Sequence, residues 1–395
     1  MGTSQTARRV AGTALAATLL TGAITPEVAT AKGNNRPELQ QAIQEIVESG
    51  FTGVQLRVSD QQSEWTGSAG VRKLDAAAKP QTNGRFRVGS VTKTFTAALM
   101  LDLVADGKVG LDTSAASYLP EFNLDPRITV RMLLQHTSGV FNHTGQYNPD
   151  GTINPGIPWS GKEWVDNRFH TYQPEELVRL SLSKPLNFEP GTNWAYANTN
   201  YVLARLVIEK ATGNSYAEEM RRRILRPLGL KGTIVPGTSP EIPGPHAHAY
   251  YEYEEASELK TVDITRQNPS WVSSGGDMIS TTKDLQTFIS ALMSGKLLPA
   301  SQMAKMLTPH PMYGYGLGLF VQDGSTPSPF PLPSCGAALV THNGGVQGFA
   351  TLMYSTPDGS KTLTASLTYV DDPAMSKQAA GYQAMQTLIN KVFCA

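Results

Sequence analysis

Four places in this 395-residue chain set a lysine three residues after a serine. In Ser90-Val91-Thr92-Lys93 this spacing carries chemistry, because positions i and i+3 of a helix share a face and bring the amine beside the hydroxyl. A serine hydroxyl is a weak nucleophile until a neighbouring base takes its proton. A lysine at the floor of a cleft can be that base, because desolvation lowers its pKa. The helix start also offers a backbone N–H to a developing oxyanion. Context separates Ser90 from the other three. Ser181-Leu182-Ser183-Lys184 and Ser280-Thr281-Thr282-Lys283 lie near helix ends, and Ser257-Glu258-Leu259-Lys260 lies in an acidic hairpin, where surface roles fit. Ser90 alone follows Gly89 and a strand-like Phe86-Arg87-Val88 and precedes a long apolar helix.

Two further groups complete a constellation. Tyr196-Ala197-Asn198 follows Phe188-Glu189-Pro190-Gly191 and precedes a helix. A tyrosine there can relay a proton between serine, lysine and leaving group, its phenolate needing nearby cations. The asparagine amide can hold the lysine and a substrate carbonyl together. Taken alone, the tripeptide reads as a capped helix start with a half-buried aromatic. His342-Asn343-Gly344-Gly345 ends a strand, where glycines let a substrate backbone lie along the edge and the Gly345 N–H can join that of Ser90 in an oxyanion hole. His143-Thr144-Gly145 is a rival for this third element; it precedes Tyr196 and lies in an irregular loop, and we set it aside on order and context.

The elements that must position these groups follow from periodicity. Helices are expected at 37–49, 92–105, 174–182, 200–212, 216–225, 283–293 and 374–392. Strands are expected at 54–58, 63–71, 316–322, 337–342, 348–355 and 362–370, and the stretch 142–167 reads as a long irregular loop. Strands at both ends with helices between imply an α+β fold, with one antiparallel sheet built from both chain ends and a mostly helical insertion. The cleft between the parts is the natural place for a site. The boundaries read as 32–84 with 270–395 for the sheet part and 85–269 for the helical part.

Composition removes other classes. Lysine plus arginine equal aspartate plus glutamate at 33 each, which gives no reason to expect nucleic acid or an anionic membrane as partner. The histidines, seven in all, show no zinc-ligand spacing, so neither metal nor organic cofactor is implied. Residues 1–31 read as an export signal: Arg8-Arg9, an alanine-rich apolar run to Ile24, and Ala29-Thr30-Ala31 before Lys32. The apolar run is short for a membrane span, and no later stretch approaches it, so a secreted protein without a membrane anchor is expected. The only cysteines, Cys335 and Cys394, are expected to pair in that compartment rather than stay buried thiols, contributing about 4 kcal/mol by the chain-entropy estimate.

The three elements, in this order, resemble the penicillin-recognising serine hydrolases: class C β-lactamases, D,D-peptidases, related esterases and D-amino-acid amidases. Leu133-Leu134-Gln135-His136-Thr137-Ser138-Gly139, the Gly-Tyr-Gly-Leu-Gly core at 314–318 and the cysteine positions extend the likeness to exported D-alanyl-D-alanine carboxypeptidases. The resemblance implies a serine β-lactamase-like fold, Ser90 as nucleophile, and Lys93 and Tyr196 as general base and acid. It makes His342 a proton-network residue. Asn198, Asn343, Gly344 and Gly345 become substrate-binding positions, with the Ser90 and Gly345 N–H groups as oxyanion hole. Trp271 is either the aromatic wall of the cleft or a core tryptophan.

One departure bears on substrate. The carboxypeptidases hold a free carboxylate with an arginine just before the cysteine and with hydroxyls of the third motif. Here no arginine or lysine occurs between Met306 and Ser360, and the motif lacks both hydroxyls. A carboxylate normally wants a charge-assisted partner, so the expectation moves to neutral leaving groups: D-configured amino-acid amides, esters or peptides. Asp150, Glu163 and Asp166 are candidates for holding a substrate amine. Rivals are a D-alanyl-D-alanine carboxypeptidase, a penicillin-recognising binding protein without turnover, and a β-lactamase, against which the histidine in place of lysine at 342 speaks.

Overall fold

Pro37 at the first helical position, Glu38 in the first turn and apolar residues at 39, 42, 43 and 46 make α1 (Pro37–Glu48), with that stripe fully buried. β1 (Gly53–Ser59) and β2 (Glu64–Gly70) follow as a hairpin. Next come α2 (Thr92–Ala105), α3 (Asn198–Thr212) and α4 (Thr282–Met293). The C-terminal part supplies β3 (Phe320–Gln322), β4 (Leu339–Thr341), β5 (Gly344–Val346), β6 (Phe349–Ser355), β7 (Thr362–Thr368) and α5 (Ser376–Phe393). The computed structural model describes Met1 and residues 35–394, except 62, 148–151, 327 and 375. The expected export segment and Asp150 thus fall outside the described residues, Met1 apart. Arg36–Ala395 forms one compact unit, and Met1–Asn35 is a unit by itself.

The strands form one antiparallel sheet in the order β2-β1-β7-β6-β4-β3, with β5 on the free stretch of β6. β7, near the C-terminus, pairs with N-terminal β1 from Gly53↔Thr368 to Ser59↔Thr362, so the chain ends close the sheet on each other. Val54, Leu56 and Val58 pack in one core with Leu39 and Ile43 of α1 and Leu388 and Ile389 of α5. Gln55 and Arg57, the alternating residues of β1, are also buried, because α4 covers the second face. Each fully buried leucine or isoleucine there contributes roughly 1.5–3 kcal/mol.

α2 is apolar on all sides and lies inside the second core, among α3, α4 and the turn segments at 273–278 and 316–319. Threonine hydroxyls along it help fix it: Thr92 Oγ1 accepts from Met278 N–H at 3.2 Å, Thr94 Oγ1 donates to Gly318 O at 2.7 Å, and Thr96 Oγ1 donates to Ser274 O at 2.9 Å.

The expected strand at 316–322 begins only at Phe320. Gly316 N–H bonds back to Leu319 O and Gly318 sits at φ +78°, so the chain turns there first. Within 142–167 the described residues also include a pair of short antiparallel strands (Gln146–Tyr147 with Ile153–Asn154) and a helix (Gly161–Asn167). No described helix is long and apolar enough to cross a membrane.

Candidate active site

Ser90 stands in a single helical turn, Gly89–Val91, that leads into α2. Gly89 takes φ +53°, and a Cβ on it would fall 2.6 Å from Gly345 N; a Cβ on Gly344 would fall 1.9 Å from Val88 O. Turn and β5 therefore touch backbone to backbone, which only glycine permits. Around Gly345 itself a Cβ would meet nothing within 4 Å, so the edge beside Ser90 is open to a ligand.

Lys93 is fully buried, and its Nζ has three polar partners: Gly275 O at 2.6 Å, Asn198 Oδ1 at 2.7 Å and Ser90 Oγ at 3.2 Å. Burial without a carboxylate partner drives its pKa well below the usual lysine range. A neutral amine has two N–H bonds and one lone pair. Since the two carbonyl oxygens only accept, a neutral Lys93 would give them both hydrogens and turn its lone pair to the Ser90 hydroxyl.

Tyr196 is half-buried and hydrogen-bonded with Ser90; its ring centre lies 4.6 Å from Lys93 Nζ. Burial pushes its phenol above the usual range, with the bond to Ser90 opposing. Asn198 opens α3. Its backbone N–H donates to Asn142 Oδ1 at 2.9 Å and its Nδ2 to Thr144 Oγ1 at 3.2 Å, while its Oδ1 accepts from Lys93. One Nδ2 hydrogen remains for a carbonyl in the cleft.

His342 is buried, and burial and the nearby Lys93 lower its pKa to about 3. Being neutral, it donates Nδ1–H to Asn343 O at 2.7 Å and accepts at Nε2 from Tyr315 OH at 3.2 Å. Neither bond is to Ser90. Asn343 is engaged in the sheet, its Nδ2 donating to Tyr354 OH at 2.9 Å and its Oδ1 accepting from Met353 N–H at 3.3 Å.

Trp271 is wall and core at once: it is 8% exposed, packs in the second core, and lines the cleft. Its carbonyl accepts from His143 Nε2 at 2.9 Å, and His143 Nδ1 faces Thr199 Oγ1 at 3.0 Å. Burial lowers the His143 pKa to about 4, so this bridge is a neutral imidazole. The rejected His143-Thr144-Gly145 thus belongs to the site, on the wall opposite β5. His136 went unassigned: its ring centre is 4.3 Å from that of Tyr196, and its Nδ1 accepts from Ala197 N–H at 3.2 Å and Asn200 Nδ2 at 3.1 Å. Glu163 and Asp166 sit on the exposed face of the helix Gly161–Asn167, with Asp166 paired to Lys162 at 2.5 Å, and neither lines the cleft.

Ser90 stands where two cavities meet. One, about 480 Å³, is bounded by Asn142, Thr144, Trp159, Asn198 and Trp271. The other, about 540 Å³, is bounded by His342–Gly345 and a set of aromatic residues. Cys335 and Cys394 are paired, with Cα atoms 5.7 Å apart.

A buried lysine trained on a half-buried serine, with a tyrosine on the same hydroxyl, defines a serine hydrolase. The family model described as Beta-lactamase matches residues 39–387. A D-stereospecific amidohydrolase from Streptomyces sp. is 34% identical with a TM-score of 0.76, over 91% of this chain and 98% of that one. D-amino acid amidase from Ochrobactrum anthropi SV3, solved with L-phenylalanine amide, has a TM-score of 0.72 over 90% and 98% of the two chains; at 23% identity that likeness is one of fold. A penicillin-binding protein of Bacillus subtilis (strain 168) is 28% identical over 348 residues, 84% of this chain and 71% of its own length. Two other curated relatives are matched over only 64% and 44% of their lengths. The chain belongs to the beta-lactamase family.

Proposed function

We propose that this protein is an exported, D-stereospecific serine amidohydrolase that works through an acyl-enzyme on amides, esters or peptides with an uncharged leaving side. The observation that carries the chemistry is the buried Lys93 amine, held by Gly275 O and Asn198 Oδ1 with its Nζ 3.2 Å from Ser90 Oγ; once neutral, it can turn its lone pair toward that hydroxyl. Ser90 Oγ attacks the carbonyl carbon as its proton passes to Lys93, and the N–H groups of Ser90 and Gly345 receive the oxyanion. The carbon–nitrogen or carbon–oxygen bond then breaks, with the proton delivered to the leaving atom from Lys93 through Tyr196. Water repeats the sequence in reverse and frees Ser90. Asn198 binds the acyl-side carbonyl, Trp271 forms its aromatic wall, and Asn343 and Gly344 line the strand edge. His342 keeps Tyr315 and the strand end in register, a part the proton network reaches only indirectly.

Likeness to the Streptomyces amidohydrolase supports the D-preference. The absence of lysine and arginine from 307–360 supports the neutral leaving side. The reading keeps a sheet part (32–84 and 270–395) and a helical part (85–269) with the site between them, and places the Cys335–Cys394 bond in an oxidising compartment after removal of residues 1–31. The test is turnover of D- and L-phenylalanine amide and of a diacylated D-alanyl-D-alanine peptide by wild type and Ser90→Ala. Hydrolysis of the D-amide alone, abolished in the variant, is expected; preferred release of terminal D-alanine overturns the substrate assignment.

A further inference from the structure

The cavity on the β5 side of Ser90 has a chemistry of its own. Phe51, Trp194, Phe320, Phe330, Tyr382 and Met385 wall it, with the Phe320 and Phe330 rings edge to face at 5.0 Å. No lysine, arginine, aspartate or glutamate is among its described lining residues. The polar groups lining it are uncharged: both ring nitrogens of His342 are occupied, the Asn343 amide is bonded into the sheet, and Trp194 Nε1 offers a single neutral N–H. A carboxylate or ammonium entering here would lose water and gain no counter-charge.

The wall is also held in place. The segment Pro329–Pro331 that closes the cavity is tied down by Tyr354 OH donating to Pro331 O at 3.2 Å and by Gln386 Nε2 donating to Leu332 O. Ser334 N–H bonds Asn390 Oδ1 at 2.8 Å, and the Cys335–Cys394 link follows directly. The aromatic surface is therefore built against α5 and the chain terminus, not draped over the cleft.

We propose that this cavity binds an uncharged aromatic or long alkyl group carried on the leaving side of the scissile bond. The assignment rests on the acyl-enzyme reading above and names its substrate class: D-acyl compounds whose leaving amine or alcohol is bulky and apolar. At about 540 Å³ the space holds a benzyl-sized group with room for a further residue.

The experiment compares kcat/KM for the N-methyl, N-butyl and N-benzyl amides of N-acetyl-D-phenylalanine and for its amide with glycinate. Wild type is expected to favour benzyl over methyl about 10- to 100-fold, with glycinate the poorest. Phe330→Ser should bring the benzyl-to-methyl ratio toward one, and Phe330→Arg should raise glycinate relative to benzyl. Reduction of the Cys335–Cys394 bond should lower the same ratio. Turnover of the methyl amide with a wild-type ratio near one, or with glycinate preferred, overturns the cavity assignment alone. Failure to turn over any D-substrate removes the acyl-enzyme reading and the assignment with it.

Discussion

The two walls flanking Ser90 each begin with a buried, neutral histidine followed by a polar residue and a glycine. On one wall, His143 reaches across elements: it bonds Trp271 O and faces Thr199 at the start of α3, and its neighbour Thr144 takes a hydrogen from Asn198. On the other, His342 bonds only its own strand and Tyr315, and Asn343 stays within the sheet. Similar letters thus do opposite work. The loop wall uses its polar groups to fix Asn198 and Trp271, the residues proposed to read the acyl side. The strand wall keeps its polar groups to itself and leaves a bare glycine edge with an apolar cavity behind it.

Removing what both walls serve has the largest effect. Lys93→Ala should lower kcat/KM on the order of 10⁴-fold, while leaving the difference between the walls intact in ligand binding. Next, Gly344→Ala pushes a Cβ to 1.9 Å from Val88 O and so displaces the strand half of the proposed oxyanion hole; a loss on the order of 10²–10³-fold in kcat is expected. A smaller effect should come from the loop wall. His143→Ala leaves Trp271 O without its donor and removes the imidazole link to Thr199; it should raise KM for D-phenylalanine amide about 10-fold with little change in kcat, and His143→Gln, which keeps a donor, should recover much of it. Equal losses in kcat from both walls would erase the contrast drawn here.

The pH response sharpens the same contrast. Lys93 must be neutral to accept the Ser90 proton, and burial lowers its pKa, so the ascending limb of kcat/KM should lie well below the ordinary lysine range. His342 at about 3 and His143 at about 4 are neutral across that range and add no limb above pH 5. Beneath the Lys93 anchor, Asp277 is buried, and its pKa rises to about 7 through loss of water, with Arg205 opposing. A carboxyl whose pKa is raised by folding costs stability as pH climbs from its unfolded value of about 4 to its folded value. Asp277→Asn should therefore raise Tm at pH 8 but not at pH 4, the difference corresponding to at most roughly 4 kcal/mol.

Much of this was legible in the chain. The end-to-end sheet followed from apolar alternation at Val54, Leu56 and Val58 and from the four late strands, because a period of two survives without tertiary information. Ser90 was separable from its look-alikes by the apolar helix behind it. What stayed hidden depends on contacts distant in sequence. Thr144 gains its meaning from Asn198 and His143 from Trp271, pairings that no local pattern encodes. The strand expected from Gly316 starts late, at Phe320, because its alternation overlaps a glycine turn, where backbone geometry overrides side-chain pattern. His136 carried a signal in Leu133–Gly139, but its place against Tyr196 required the fold.

The central claim is that Ser90 carries the acyl group of a D-configured substrate. Rapid acid quench of the protein during turnover of D-phenylalanine benzyl ester, followed by mass mapping of the peptide containing Ser90, tests it directly. The account predicts a phenylalanyl mass increase on Ser90 with the D-ester, none with the L-ester, and none in Ser90→Ala. An adduct on another residue, or steady turnover of the D-ester by Ser90→Ala, would contradict it.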